Sequence, residues 1–191
     1  MKKTLFILTA IIFSSCSSGD QDSYYQKTIQ LNVNNYIKVY TQNSYNVGDK
    51  IFIESRFNKL QDEPGYSNKL DIFKTTNTRQ YGFYFSLEKK VFNGNWTTIN
   101  LNNTDFESGG LGNYNFNNGI CELNQSNTFY EFYKGLILQE SGQYRLTISS
   151  SIDPFYGNNY YYNYSGGNNI SVSFNTTIEN VPGDSYLFTV N

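Results

Sequence analysis

Sixteen carboxylates, two thiols and a dense run of tyrosines are the side chains of this 191-residue chain that could do chemistry, and there is no histidine. Without an imidazole the chain cannot assemble a Ser-His-Asp or Cys-His arrangement, since the usual base near neutral pH is missing. The usual zinc sets are excluded on the same ground, because two cysteines and no histidine cannot fill a tetrahedral site. There is also no glycine loop ending in the lysine that would cradle a phosphate. Paired carboxylates stay open: a glycoside hydrolase needs only Asp and Glu. The eight Asp and eight Glu are scattered, however, and no pair is marked by its context. Asp62, Glu63 and Asp71 flank a loop and offer hard oxygens to calcium. Their spacing matches no calcium-binding loop, and a solvated turn is the competing reading. The expectation is a protein that is not an enzyme, with no cofactor and no metal.

The tyrosines point to binding instead. Phe155, Tyr156, Tyr160, Tyr161, Tyr162 and Tyr164 lie within ten residues, interleaved with Asn158, Asn159 and Asn163. Flat amphipathic rings stack on sugar faces and amides bond sugar hydroxyls. Tyrosine also serves protein-binding loops, because its large contact area costs few torsions. Tyr156, Tyr160, Tyr162 and Tyr164 are therefore candidate ligand-binding residues. Two bland readings compete: Tyr160 to Tyr164 as a strand with one face packed inward, or enrichment from an AT-rich coding sequence.

Cys16 carries the second chemistry. Lys2 and Lys3 precede an apolar run from Leu5 to Phe13, broken only by Thr9. A bilayer span needs about 20 apolar residues, so this length fits the core of a signal peptide. Phe13-Ser14-Ser15-Cys16 then resembles the lipobox of bacterial lipoproteins, with Phe13 where Leu is commoner. The resemblance implies cleavage before Cys16 and a diacylglyceryl group on its thiol, an anchor that needs no transmembrane helix. Asp20 and Asp22, in the polar stretch Ser17 to Asp22, resemble the surface-export signal of Bacteroidota lipoproteins. The implied place is the cell outer membrane, lipid-anchored and surface-exposed.

Removing residues 1–15 leaves 12 − 16 = −4 charges, which argues against a nucleic-acid partner. Ala10 is the sole alanine, so the best helix former is absent from the remainder. Tyr, Phe, Ile, Val and Thr suit pleated, half-buried surfaces. Residues 28–33, 51–57, 81–87, 144–148 and 170–178 place apolar side chains on alternate positions, or in short runs, as strands do. Residues 70–74 read as a short strand, and Asn93-Gly94 marks a two-residue hairpin. Pro64-Gly65 and Pro182-Gly183 mark turns, while 102–118 and 154–169 read as long loops. The expectation is nine or ten strands and no helix. Cys121, left alone after lipidation of Cys16, reads as a small buried residue.

Glu140-Ser141-Gly142-Gln143-Tyr144-Arg145-Leu146 resembles the E–F corner of immunoglobulin-like domains, which implies a structural Tyr144 whose hydroxyl bonds back to the main chain. An ordinary strand tyrosine is the alternative. Tyr45 to Ile51, Leu70-Asp71-Ile72 and Gly142 to Leu146 together look like uncharacterised Bacteroidota surface lipoproteins with an immunoglobulin-like β-sandwich. Those proteins carry no established active site. The expected fold is therefore all-β: a single immunoglobulin-like β-sandwich preceded by a lipoprotein signal peptide, with residues 1–15 the signal, 16–27 the lipidated tether and 28–191 the sandwich. The expected function is a non-enzymatic binding or adhesion module for a glycan or an envelope protein. A structural accessory subunit of an outer-membrane complex is the alternative, and a carboxylate-based glycoside hydrolase the third reading.

Overall fold

The computed structural model describes residues 27–115, 117–155 and 170–191. In chain order its elements are β1 (Lys27–Tyr40), β2 (Lys50–Asn58), β3 (Leu60–Gln61), β4 (Leu70–Asp71), α1 (Ile72–Thr76), β5 (Gln80–Lys90), β6 (Trp96–Thr98), β7 (Asn113–Asn115), β8 (Asn118–Leu123), β9 (Phe129–Ile137), β10 (Gly142–Ile148), β11 (Ser151–Pro154), β12 (Ile170–Glu179) and β13 (Ser185–Val190). The described residues are mostly β-strand, as the composition implied, with one short helix.

The pairing is not two separate sheets. Strands β5, β11, β12, β1, β2, β9 and β8 follow one another by hydrogen bonding, and β8 pairs back onto β5, which closes a seven-stranded ring. Strands β10, β13 and β6 extend from β5, and β7 extends from β8. The expected sandwich is thus replaced at the level of pairing by a closed barrel with added strands. The reason lies in β5. Its first half, Gln80–Tyr84, pairs with β8, and Tyr81 and Gly82 pair with β11 on the other side. Its second half, Phe85–Lys89, pairs with β10, and Glu88–Lys90 with β6. One long strand therefore serves both the ring and the outlying sheet. Closure also removes the open edges that an unpaired strand would present.

Alternation fills the interior. Tyr81, Phe83, Phe85 and Leu87 are all buried, as are Ile51, Ile53 and Phe57 of β2 and Val172 and Phe174 of β12. Rings dominate this core. Phe57 stacks on Tyr130 with centroids 5.2 Å apart, and Tyr81 meets Tyr130 edge-on at 4.9 Å. The Tyr130 hydroxyl donates to the Thr78 carbonyl at 2.5 Å, so the buried phenol is satisfied. Gly119 sits opposite Phe83 across β5 and β8, and a Cβ there would lie 2.4 Å from Phe83 Cζ. The core ring occupies the space a side chain would need. Cys121 is free and fully buried, as expected, and burial pushes its thiol up to about 12.

One expectation is corrected locally. The strand expected at 70–74 stops at Asp71 and gives way to α1. The Asp71 side chain caps it by accepting from the Lys74 N–H at 3.0 Å, and Asn77 ends it in the left-handed region at φ +53°. Residues 36–40 continue the strand that 28–33 begin, so β1 is one 14-residue strand, and a register shift between Val33 and Ile37 absorbs Asn34 and Asn35. Asn35 is left-handed at φ +58°, and Thr176 and Thr177 of β12 accept the main-chain N–H groups of Tyr36 and Asn35, each at 3.0 Å. A bulge is held there by hydroxyls.

Register also relates the two ends of the molecule. Gln80 lies level with Phe155, Ile152 with Phe174, and Ile170 with Lys27. The start of β1 therefore lies at the end where β5 begins. The β5–β6 hairpin lies at the other end, roughly 36 Å further along β5 at about 3.3 Å per residue.

Candidate functional site

The described surface offers two places where side chains gather. The first is the outer face of β12, β1, β2 and β9. Strand β2 reads Ile51-Phe52-Ile53, and with both isoleucines buried Phe52 must point outward. Register then builds a ladder across the face: Glu179 opposite Lys38, Lys38 opposite Glu54, and Glu54 opposite Tyr133. A parallel rung runs from Tyr40 to Phe52 to Gly135. Phe52 and Tyr133 stack 5.2 Å apart at 14°, and Tyr40 meets Tyr133 edge-on at 6.0 Å. Gly135 gives Phe52 its room, since a Cβ there would come 2.9 Å from Phe52 Cε1.

Charges bracket these rings. Lys38 pairs with Glu179 at 2.9 Å and lies 5.1 Å over the Tyr40 ring. Lys50 pairs with Glu107 at 2.6 Å. The Tyr40 hydroxyl donates to the Glu54 carboxylate, and that bond, with some burial, pushes the phenol up to about 12. The contact to Glu179 likewise raises the Lys38 ammonium. Lateral pairing of this kind stabilises a sheet face by a few tenths to about 1 kcal/mol per pair. What is left over for a partner is the exposed face of Tyr40 and the outer rims of Phe52 and Tyr133, with donors and acceptors on either side. The signal in the sequence was the unbroken Ile51-Phe52-Ile53 run, which gives a strand apolar on both faces.

The second place is a cleft of roughly 180 Å³ at the hairpin end. Leu87, Ile99, Leu101, Ile137 and Leu138 line it with apolar surface, and Lys89, Asp105, Gln139, Glu140 and Tyr144 supply its polar groups. Asp105 accepts from the Asn102 N–H at 2.6 Å and from Gln139 Nε2 at 2.5 Å. Glu140 pairs with Lys89 at 2.5 Å, and that contact holds its carboxyl below the usual range. A glycosidase acid needs the opposite shift. Both carboxylates are thus committed to neighbours inside the chain.

The residues singled out by sequence fall as follows. Tyr144 is buried, and its hydroxyl donates to the Glu140 carbonyl at 2.8 Å, the bond that a tyrosine corner requires. Cys16, Tyr156, Tyr160, Tyr162 and Tyr164 lie outside the described residues. The described flanks of the tyrosine-rich segment, Phe155 and Ile170, both lie at the end where β1 begins. Asp62 pairs with Lys69 at 2.7 Å, while Asp71 caps α1 and pairs with Lys59 at 3.3 Å. Among the described residues, no three side chains of the metal-binding types gather where they could hold an ion, and no helix is long and apolar enough to cross a membrane. No family model matches the chain, and no curated protein sequence does either.

Proposed function

We propose that this chain is a lipid-anchored protein of the bacterial outer membrane, displayed at the cell surface, whose all-β domain is a non-enzymatic binding module for a glycan or another envelope protein. The lipobox-like Phe13-Ser14-Ser15-Cys16 supports the anchor and the location. The Tyr144–Glu140 bond supports kinship with immunoglobulin-like domains, even though the strands here close a ring. The observation that carries the binding reading is the outer ladder of Tyr40, Phe52 and Tyr133, where aromatic surface and paired charges share one solvent-facing sheet. Solvent-facing aromatic and charged side chains on a rigid sheet present a preorganised contact surface, and binding then costs little ordering.

Two measurements test the two parts separately. Tritiated palmitate should label the protein in cells, and Cys16→Ala should abolish the label; label that persists in Cys16→Ala refutes the anchor. The intact lipidated protein should give signal on a glycan array or capture an envelope protein in a pull-down. Tyr40→Ala and Tyr133→Ala should each weaken that binding about tenfold or more, the loss expected for a buried aromatic contact. Unchanged binding in both variants refutes the ladder as the site. Loss with Tyr160→Ala and Tyr162→Ala instead would place the contact in the 156–169 segment.

A further inference from the structure

Asparagine followed directly by glycine occurs twice in the chain, at Asn93-Gly94 and at Asn118-Gly119. In such a pair the glycine nitrogen can close on the asparagine side chain, because no Cβ shields the approach. The fold treats the two pairs in opposite ways. Asn93 and Gly94 are exposed in the tip of the β5–β6 hairpin. There Val91 N–H donates to the Asn95 carbonyl at 2.8 Å and Gly94 N–H to the Val91 carbonyl at 2.9 Å, with Gly94 at φ +84°. Asn93 Oδ1 accepts from the Asn95 N–H at 3.0 Å. That bond folds the side chain forward along its own main chain, so Cγ is turned toward the peptide that carries the attacking nitrogen. The same donor draws electron density from the amide and steadies charge on Oδ1 as a new bond forms at Cγ.

Asn118-Gly119 is held between strands instead. Asn118 stands opposite Tyr84 of β5 and Asn115 of β7, and Gly119 stands opposite Phe83 and Tyr114. Gly119 is buried, and the Phe83 ring fills the space beside it. Ring closure there has to turn a peptide out of the sheet and move a core phenylalanine.

We propose that Asn93 is a site of spontaneous covalent modification, deamidation through a cyclic imide, and that the sheet protects Asn118 from the same reaction. Solvent base removes the Gly94 amide proton, and the nitrogen adds to Asn93 Cγ. A C–N bond forms, the Cγ–Nδ2 bond breaks, and ammonia leaves with a proton from water. Water then opens the imide. Addition at the side-chain carbonyl gives aspartate, and addition at the main-chain carbonyl gives isoaspartate, in which the main chain runs through Cγ. Either product places a carboxylate beside the exposed Phe92. Isoaspartate also lengthens the main chain by one carbon inside the turn that the Val91–Asn95 bond closes. The Gly94 bond to Val91 opposes the reaction, since that N–H must first be released. Release is cheap at a hairpin tip and costly in a strand paired on both sides.

The test ages the purified full chain in mildly alkaline buffer, with and without guanidinium chloride, and follows both asparagines by peptide mapping and mass spectrometry. In the folded chain Asn93 should convert about tenfold faster than Asn118 or more, a ratio equal to about 1.4 kcal/mol of extra opening cost in the sheet. In guanidinium the two rates should converge. Asn93→Gln should remove the tip product, since glutamine must close a larger ring. Equal rates in the folded chain, a faster Asn118, or no product at Asn93 overturns the proposal. A ratio that survives denaturation, or a tip product that persists in Asn93→Gln, overturns it as well.

Discussion

Replacing Tyr144 by phenylalanine isolates one hydroxyl. The ring would keep its stack on Phe188, with centroids 5.6 Å apart at 14°, and its place 5.7 Å beneath Lys89. What goes is the 2.8 Å bond to the Glu140 carbonyl, which ties β10 back to the turn that follows β9. A hydrogen bond within a protein is worth about 0.5–1.5 kcal/mol net. Glu140 is exposed, so water can reach the carbonyl left behind, and the cost belongs near the middle of that range, about 1 kcal/mol. Tyr144→Ala removes the ring as well and should cost about 3–5 kcal/mol, the range for deleting a buried aromatic. Urea unfolding of the full chain measures both, followed by the fluorescence of Trp96, the sole tryptophan, whose ring lies 4.9 Å from the Arg145 guanidinium beside Tyr144. In thermal melts the Phe variant should fall by about 2–4 °C, given the size of the domain. A Phe variant as stable as the parent would refute the corner, and one as damaged as the Ala variant would show that the ring is displaced as well.

Other outcomes follow from the packing. Gly119→Ala should destabilise by about 1–3 kcal/mol or prevent folding, since its Cβ would fall 2.4 Å from Phe83; Phe83→Leu should relieve part of that loss, and no relief would count against the contact. Cys121 should resist maleimide at pH 8 in the folded chain and react once urea opens it, because burial keeps the thiol protonated; prompt native labelling would contradict its placement. Stability should be flat from neutral pH up to about 9 and then decline. The unfolded thiol ionises near its ordinary 9.0 while the folded one holds its proton to about 12, so each step of pH in that window favours the unfolded chain. Buried Tyr45 and Tyr130 are raised by burial as well and act in the same direction above pH 10. Cys121→Val should flatten the first part of the decline.

How far the fold could be read from the sequence depended on the range of the contact that settled each part. The alternation of Tyr81, Phe83, Phe85 and Leu87 fixed a strand and its inner face, because a period of two is local information. The Tyr144 bond was equally legible, reaching back only four residues. The pairing of Gln80–Tyr84 with Asn118–Glu122 was not, for nothing near either segment names its partner, and ring closure depends on it. Strand β11 spans only four residues and owes its existence to β5 and β12 on either side. At 72–76 the β-favouring Ile72, Phe73, Thr75 and Thr76 suggest a strand, but the caps Asp71 and Asn77 hold the segment as a helix. The outer ladder was not legible either, because Tyr40 of β1 and Tyr133 of β9 come together only through the register of β2 between them.

Strand β1 and strand β12 run parallel through nine registered pairs, from Lys27–Ile170 to Lys38–Glu179. Consider a force entering through the residues that precede Lys27 while the hairpin end is held. The pull lies along β1, and the hydrogen bonds to β12 lie across it. Such bonds are loaded together rather than one after another, so the pair resists as a clamp instead of opening like a zip. The bulge at Asn35 divides that clamp into two stretches, and the second is held on its far side by β2. A domain hauled by its N-terminus would then yield first between Lys27 and Val33 and stop there, giving way by one short segment while its aromatic interior stays closed.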